Sequence, residues 1–243
     1  RNIVEEMLGS IDQDLMSRVS QEERDTIVSE ADLALSHTFD LLGSGLVKME
    51  RIDWHTDFKS GYTWPKGVYY RHLRSMRGRG SDIKVPWELS RCHHLLWLAE
   101  AYLITNKEKY AQEVVDEIAD WIEDNPYMRS VNWTCAMDVS IRAVNWLYAI
   151  NMIWESKCIT NEFVSKLYKS LYQHGFYIYH NLEKRVPYSN NHYFSDLIGL
   201  LYIGQLFKHT KRGLKWWKFG MSEFYLEIRL QTLPSGANYE RSV

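Results

Sequence analysis

Three cysteines, Cys92, Cys135 and Cys158, lie far apart in a chain of 243 residues. No C-x-x-C pair occurs, so neither a zinc ribbon nor a disulfide scaffold is indicated, and buried free thiols are the default. Metal-ligand spacing is missing as well. His93 and His94 are adjacent, point about 100° apart on a helix, and do not chelate one ion together. No metal or cofactor is expected. No apolar run approaches membrane-spanning length. The formal net charge is −2, which gives no global electrostatic sign of nucleic acid. Arg1-Asn2-Ile3-Val4-Glu5-Glu6 lacks the continuous apolar core of a signal peptide. The chain opens on Arg1 without an initiator methionine, so a trimmed product is expected, and a removed signal is compatible with that. Strand-type alternation of useful length is absent throughout.

What is present is helical periodicity and aromatic surface. Apolar residues make up 45% and charged residues 25%, an ordinary balance for a globular domain with ample core. Residues 3–19 read as a weakly amphipathic helix. Ser20-Gln21-Glu22-Glu23 is a capping box that opens a second helix, expected to reach Leu42 before Gly43-Ser44-Gly45. Leu46 to Val85 is a long irregular segment rich in Gly, charge and aromatics, centred on Trp54-His55-Thr56-Asp57-Phe58. From Pro86 the texture changes to helices over Pro86–Thr105, Lys107–Asp124, Asn132–Glu155, Thr160–Leu182, Asn191–His209 and Leu214–Thr232. These pair into three hairpins with a loose repeat. The expected fold is all-α, an incomplete (α/α) toroid of antiparallel helical hairpins. It is expected as a single domain over residues 1–243, with N-terminal helices and the aromatic loop in 1–85 and hairpins in 86–243.

There are 10 Trp and 16 Tyr, enough to fill a core and still leave flat faces that suit sugar rings. Two basic runs, Arg71–Arg79 and Lys208–Lys218, are either solvated charge or the rim of a site for an anionic polymer. Polar residues interrupt the helical pattern in three places. In Trp87-Glu88-Leu89-Ser90-Arg91, Glu88 and Arg91 are spaced to pair on one helix face. In Asp138-Val139-Ser140-Ile141-Arg142-Ala143-Val144-Asn145-Trp146, Arg142 needs a partner, either Asp138 or an acidic ligand in a cleft. In Ser189-Asn190-Asn191-His192, any of the first three residues suits a helix N-cap, and Asp196 would follow near the positive end. That turn is either a simple cap or an anion site, because first-turn N–H groups favour negative charge.

Taken together, these segments resemble the N-terminal toroid of the heparinase II/III-type polysaccharide lyases and their alginate-lyase relatives. The matching stretches are Trp54 in the aromatic segment, Val-Pro-Trp-Glu-Leu-Ser-Arg at 85–91, and Asn-Trp-Thr-Cys-Ala-Met-Asp-Val-Ser-Ile-Arg-Ala-Val-Asn-Trp at 132–146. They continue with Ser-Asn-Asn-His at 189–192 and Gly-Ala-Asn-Tyr-Glu-Arg-Ser at 236–242. The resemblance implies an (α/α) toroid followed by a β-sandwich domain of the same protein. It implies cleavage of a uronic-acid-containing, anionic polysaccharide by β-elimination, with no nucleic acid and no membrane as partners. Asn191 and His192 would hold the uronate carboxylate. A tyrosine would act as base and acid: Tyr239 is the one within the motif, although the family's tyrosine follows Glu-x-Ser by a few residues. Trp87, Glu88, Arg91, Arg142, Trp146 and Glu240 would contact substrate. The family suggests a periplasmic or secreted protein, and the fragment alone is expected to be inactive. Two rivals stay open: a non-catalytic glycan-binding toroid, and a toroidal glycoside hydrolase using Glu88 and Asp138 across a cleft.

Overall fold

The computed structural model describes residues 8–9, 18–76, 78–185 and 189–237. These are mostly helical, as the periodicity requires, and the strands are only two residues long. They divide into two compact units, one of residues 1–134 and 145–170, the other of 135–144 and 171–243. The division ignores the change of texture at residue 85.

The first unit starts with helix α1 (Gln21–Leu35), opened by the expected capping box. The Ser20 hydroxyl accepts from the Glu23 N–H at 3.3 Å, and the Glu23 carboxylate accepts from the Ser20 N–H at 2.8 Å. Each bond satisfies an otherwise orphaned donor or its neighbour. The helix ends at Leu35, seven residues short of the expected Leu42. There the Ser36 hydroxyl turns back to the Leu33 carbonyl, and His37 takes a left-handed backbone at φ 51°. The chain then forms the two-residue strands β1 (Thr38–Phe39) and β2 (Val47–Lys48), paired antiparallel. A second such pair joins β3 (Thr56–Asp57) to β4 (Tyr62–Thr63). A short helix, α2 (Tyr70–Leu73), follows.

The long aromatic segment is therefore ordered but nearly free of regular structure. It is held by its tryptophans, which are core residues: Trp54 and Trp64 are buried. Trp54 donates to the Asp120 carboxylate at 2.8 Å, and Trp64 donates to the Met76 carbonyl at 3.1 Å. The Asn132 amide donates to the Trp54 carbonyl at 2.7 Å, which satisfies a backbone group that no helix or sheet serves.

Where one helix was expected over Pro86–Thr105, there are two, α3 (Lys84–Ser90) and α4 (His94–Thr105). Cys92 breaks the run at φ 58°, a left-handed backbone rare for a side chain other than Gly, Asn or Asp. No glycine or proline marks the break in the sequence. Asn106, by contrast, ends α4 as expected, left-handed at φ 52°. Helix α5 (Glu108–Asp124) folds back on α4 and buries Tyr110, Ala111, Val114, Ile118 and Trp121 along one face. A 3₁₀ turn (Val131–Trp133) precedes α6 (Ala136–Met152), and α7 (Asn161–His180) follows.

The unit boundary falls inside α6 and α7, so residues 135–144 and 171–180 belong to the second unit. That unit continues with α8 (Asn191–Leu206) and α9 (Lys211–Gln231), a packed pair joined by a short turn. Thr210 caps α9 by accepting from the Gly213 N–H at 3.0 Å, so the helix starts before the expected Leu214. Two glycines allow close approach. A Cβ on Gly204 would sit 2.6 Å from the Trp217 nitrogen, and one on Gly199 would sit 2.6 Å from the Ser140 Cβ. The second contact holds α8 against the first turns of α6.

Candidate active site

The start of α8 lies within the second unit. Asn190 is the N-cap, and its side-chain oxygen accepts from the Tyr193 N–H at 3.4 Å. Of the three residues that suited the cap, this is the one that serves. Asn191 is exposed at the first helical position. His192, at the second, has a side chain 32% exposed. The first turn of α8 directs its N–H groups and the positive end of its dipole toward this pair.

The hub of the site is a residue that the sequence did not single out. Glu183 lies in the irregular stretch after α7, and its Oε1 stands 3.4 Å from His192 Nδ1. Its Oε2 accepts from the Met137 N–H at 3.0 Å, in the opening turn of α6, and from the Cys135 thiol at 3.4 Å. The Glu183 N–H donates to Asp196 Oδ2 at 2.7 Å. Burial pushes the Glu183 carboxyl up, but the His192 bond and the Met137 N–H outweigh it and hold the group below the ordinary value. The same bond to Glu183 raises His192 above the ordinary histidine value, against the opposing effect of its partial burial. The pair therefore favours the imidazolium form, with Nδ1 facing Glu183. Burial, with Glu183 and Asp138 nearby, pushes the Asp196 carboxyl up to about 8. Its Oδ1 has no hydrogen-bond partner among the described residues. Asp196 is thus a buried strut for the Glu183 loop, fully enclosed.

A family model described as "Heparinase II/III N-terminus" matches residues 6–243. The chain belongs to this family.

Among curated proteins, this heparinase II/III N-terminal chain is 21% identical over 231 residues to a heparin-sulfate lyase of Bacteroides stercoris. That match covers 86% of the chain and 31% of the relative. It is 27% identical over 166 residues to a heparin-sulfate lyase of Pedobacter heparinus, covering 66% of the chain and 24% of the relative. The crystal structure of heparan sulfate lyase HepC from Pedobacter heparinus superposes with a TM-score of 0.69 at 24% identity, over 91% of this chain and 31% of that one. The chain thus spans a third or less of the length of these relatives. Its family is a polysaccharide lyase family, and the likeness to the solved structure establishes the helical fold.

The other residues singled out in this heparinase II/III chain fall in both units. In the first unit, Glu88 and Arg91 form the expected pair at 2.6 Å, each side chain 21% exposed. Trp87 shares its indole N–H between the Val131 carbonyl at 3.1 Å and the Thr134 hydroxyl at 3.0 Å. The Asn145 amide donates to the Arg91 carbonyl at 2.8 Å, which ties α6 to the end of α3. Trp146 is not an exposed face for a sugar. It is fully buried, with its ring 5.2 Å from Trp121 in an edge-on contact, and Trp121 in turn packs on Trp133. In the second unit Arg142 is also fully buried, and its Nε donates to His174 Nε2 at 3.1 Å. His174 therefore accepts through Nε2 and carries its proton on Nδ1. One partner of Arg142 is thus a histidine on α7 that had no visible link to it in sequence. Asp138, the second carboxylate of the hydrolase alternative, is 1% exposed. Tyr239 and Glu240 lie outside the described residues.

Although no metal-type spacing exists in the sequence, the fold gathers two groups of potential ligands among the described residues. One is Cys135, Glu183 and His192, and the other is His37, Glu113 and Glu117; in each the ligand atoms lie within 4.8 Å of one another. No described helix is long and apolar enough to cross a membrane.

Proposed function

We propose that this chain is the helical part of a polysaccharide lyase that cleaves a uronic-acid-containing, anionic polysaccharide by β-elimination. The reading rests on the Glu183–His192 pair beside exposed Asn191 at the head of α8. The C5 proton of a uronate is a poor acid while its neighbouring carboxylate carries full charge. In the proposed complex the Asn191 amide and the His192 Nε2–H donate to that carboxylate, and the α8 dipole adds positive potential. Glu183 keeps the imidazole oriented and charged. As C5 loses its proton, electron density moves onto the carboxylate oxygens, where these donors hold it more tightly than in the ground state. A tyrosinate takes the C5 proton. The C4–O bond then breaks as the C4=C5 double bond forms, and the tyrosine proton goes to the leaving oxygen. Tyr239 is the candidate within this chain.

A β-sandwich domain of the same protein completes the site in this proposal. The proposal includes a periplasmic or extracellular setting, as the family resemblance suggests. The test uses the complete enzyme with uronate polymers, following the ultraviolet absorbance of the unsaturated product. Absorbance that disappears in Asn191→Ala, with folding unchanged, supports the proposal. A folded enzyme that yields no unsaturated product from any uronate polymer ends it.

A further inference from the structure

The second ligand group lies in the first unit, where α1 ends beside the α4–α5 pair. His37 Nε2 is 2.8 Å from Glu113 Oε1, and His94 Nε2 is 2.6 Å from Glu117 Oε2. Glu113 and Glu117 are one helical turn apart on α5, so two carboxylates share one face, an unfavourable arrangement between like charges. The Glu117 side chain is only 3% exposed. Its second oxygen, Oε1, has no hydrogen-bond partner among the described residues. A buried acceptor in that state costs free energy, which a ligand would return. Burial raises the Glu113 carboxyl above its ordinary value, the His37 bond opposes this, and nearby Glu117 adds to the rise. One buried and one half-buried carboxylate thus stand on one helix face beside two imidazoles, with a buried carboxylate oxygen left over.

We propose that His37, Glu113 and Glu117 form a divalent-metal site of the kind zinc occupies, with His94 holding the Glu117 carboxylate in position. Zinc binds imidazole nitrogen and carboxylate oxygen at about 2.0–2.2 Å, with three protein ligands and an open fourth position in many sites. Ligand atoms already gathered within 4.8 Å need only small shifts to reach that shell. The His37–Glu113 hydrogen bond opens by a few tenths of an ångström and both atoms turn to the ion. His94 plays the part of an outer partner, fixing the carboxylate through Oε2 while Oε1 faces the metal. The ligand set has no sulfur, so it suits zinc, manganese or cobalt rather than copper(I). The consequence is mechanical. His37 sits in a left-handed backbone just after α1, and a bond from it to α5 staples the end of α1 to the helical pair.

The experiment uses the purified protein, stripped by chelator, with Zn²⁺ and Co²⁺ as probes. Bound metal is counted by mass spectrometry after equilibrium dialysis, and Tm is read with and without Zn²⁺. About one equivalent should bind, and a hundredfold excess over Kd should raise Tm by about 5 °C or more. Cobalt should show no thiolate charge-transfer band. Binding should be lost in Glu117→Gln and in His37→Ala, and kept in Cys135→Ser. Glu113→Gln replaces either variant if circular dichroism shows it misfolded. Failure to bind Zn²⁺ overturns the proposal, leaving two ordinary His–Glu hydrogen bonds. So does binding that survives the Glu117 and His37 variants, or that vanishes in Cys135→Ser, which would place the metal with Glu183 and His192.

Discussion

Glu183 and His192 meet at 3.4 Å, although one lies in the irregular stretch after α7 and the other in the first turn of α8. A third element, the opening turn of α6, supplies the Met137 N–H to the same carboxylate. The carboxylate that raises the His192 imidazole above its ordinary value is itself held by a third segment of the chain.

The first prediction concerns this pair. His192 is raised by Glu183, so its titration midpoint by NMR should lie above 6.5. Glu183→Gln should bring it back toward or below that value. The raised histidine contributes fully below pH 6.5 and loses its contribution as pH rises through its folded value. The lowered glutamate contributes fully above 4.5 and loses it as pH falls through its own folded value. The pair therefore stabilises most between these limits. A midpoint unchanged by Glu183→Gln would disprove the coupling.

Asp196 behaves in the opposite sense. Its folded value of about 8 against 3.8 means that the folded protein binds the proton more tightly. Its contribution to stability should therefore fall as pH rises from about 4 to 8. Asp196→Asn mimics the protonated acid and keeps an acceptor for the Glu183 N–H. Urea melts across this range should show the variant's stability relative to wild type climbing with pH and levelling off above 8. Parallel curves would refute a buried, neutral Asp196.

Asn190 and Asn191 stand side by side with different duties, which mutagenesis can separate. Asn190→Ala removes the α8 cap and should cost about 1 kcal/mol in denaturant melts. Asn191→Ala should leave stability within about 0.5 kcal/mol, as expected for an exposed side chain. In the complete enzyme it should lower turnover by about a hundredfold to a thousandfold, the usual loss for one anion-stabilising donor. The reverse pattern would assign capping to the wrong residue.

Trp146 should act through the core. Trp146→Ala should cost about 3–5 kcal/mol and be visible in thermal melts, because it empties the contact with Trp121. If stability holds while polymer binding weakens, the ring is a sugar platform after all.

Reading the chain from sequence succeeded where the signal was local. The capping box at Ser20, the stop at Asn106, the helical period of α5 and the Glu88–Arg91 pair each depend on residues a turn or two apart, and each is present as read. The break at Cys92 was hidden because nothing in that residue's chemistry demands a left-handed backbone. Packing around it, with Cys92 only 1% exposed, imposes one.

Helix content, and Asn191 and His192 as a polar pair at a helix start, were thus matters the amino-acid sequence settled alone, since periodicity and capping act over a few residues. Which groups charge that histidine, which arginine meets which histidine, and which carboxylates crowd around His37 were decided only when distant segments packed together. Burial and electrostatics depend on neighbours in space, and spacing along the chain does not encode them.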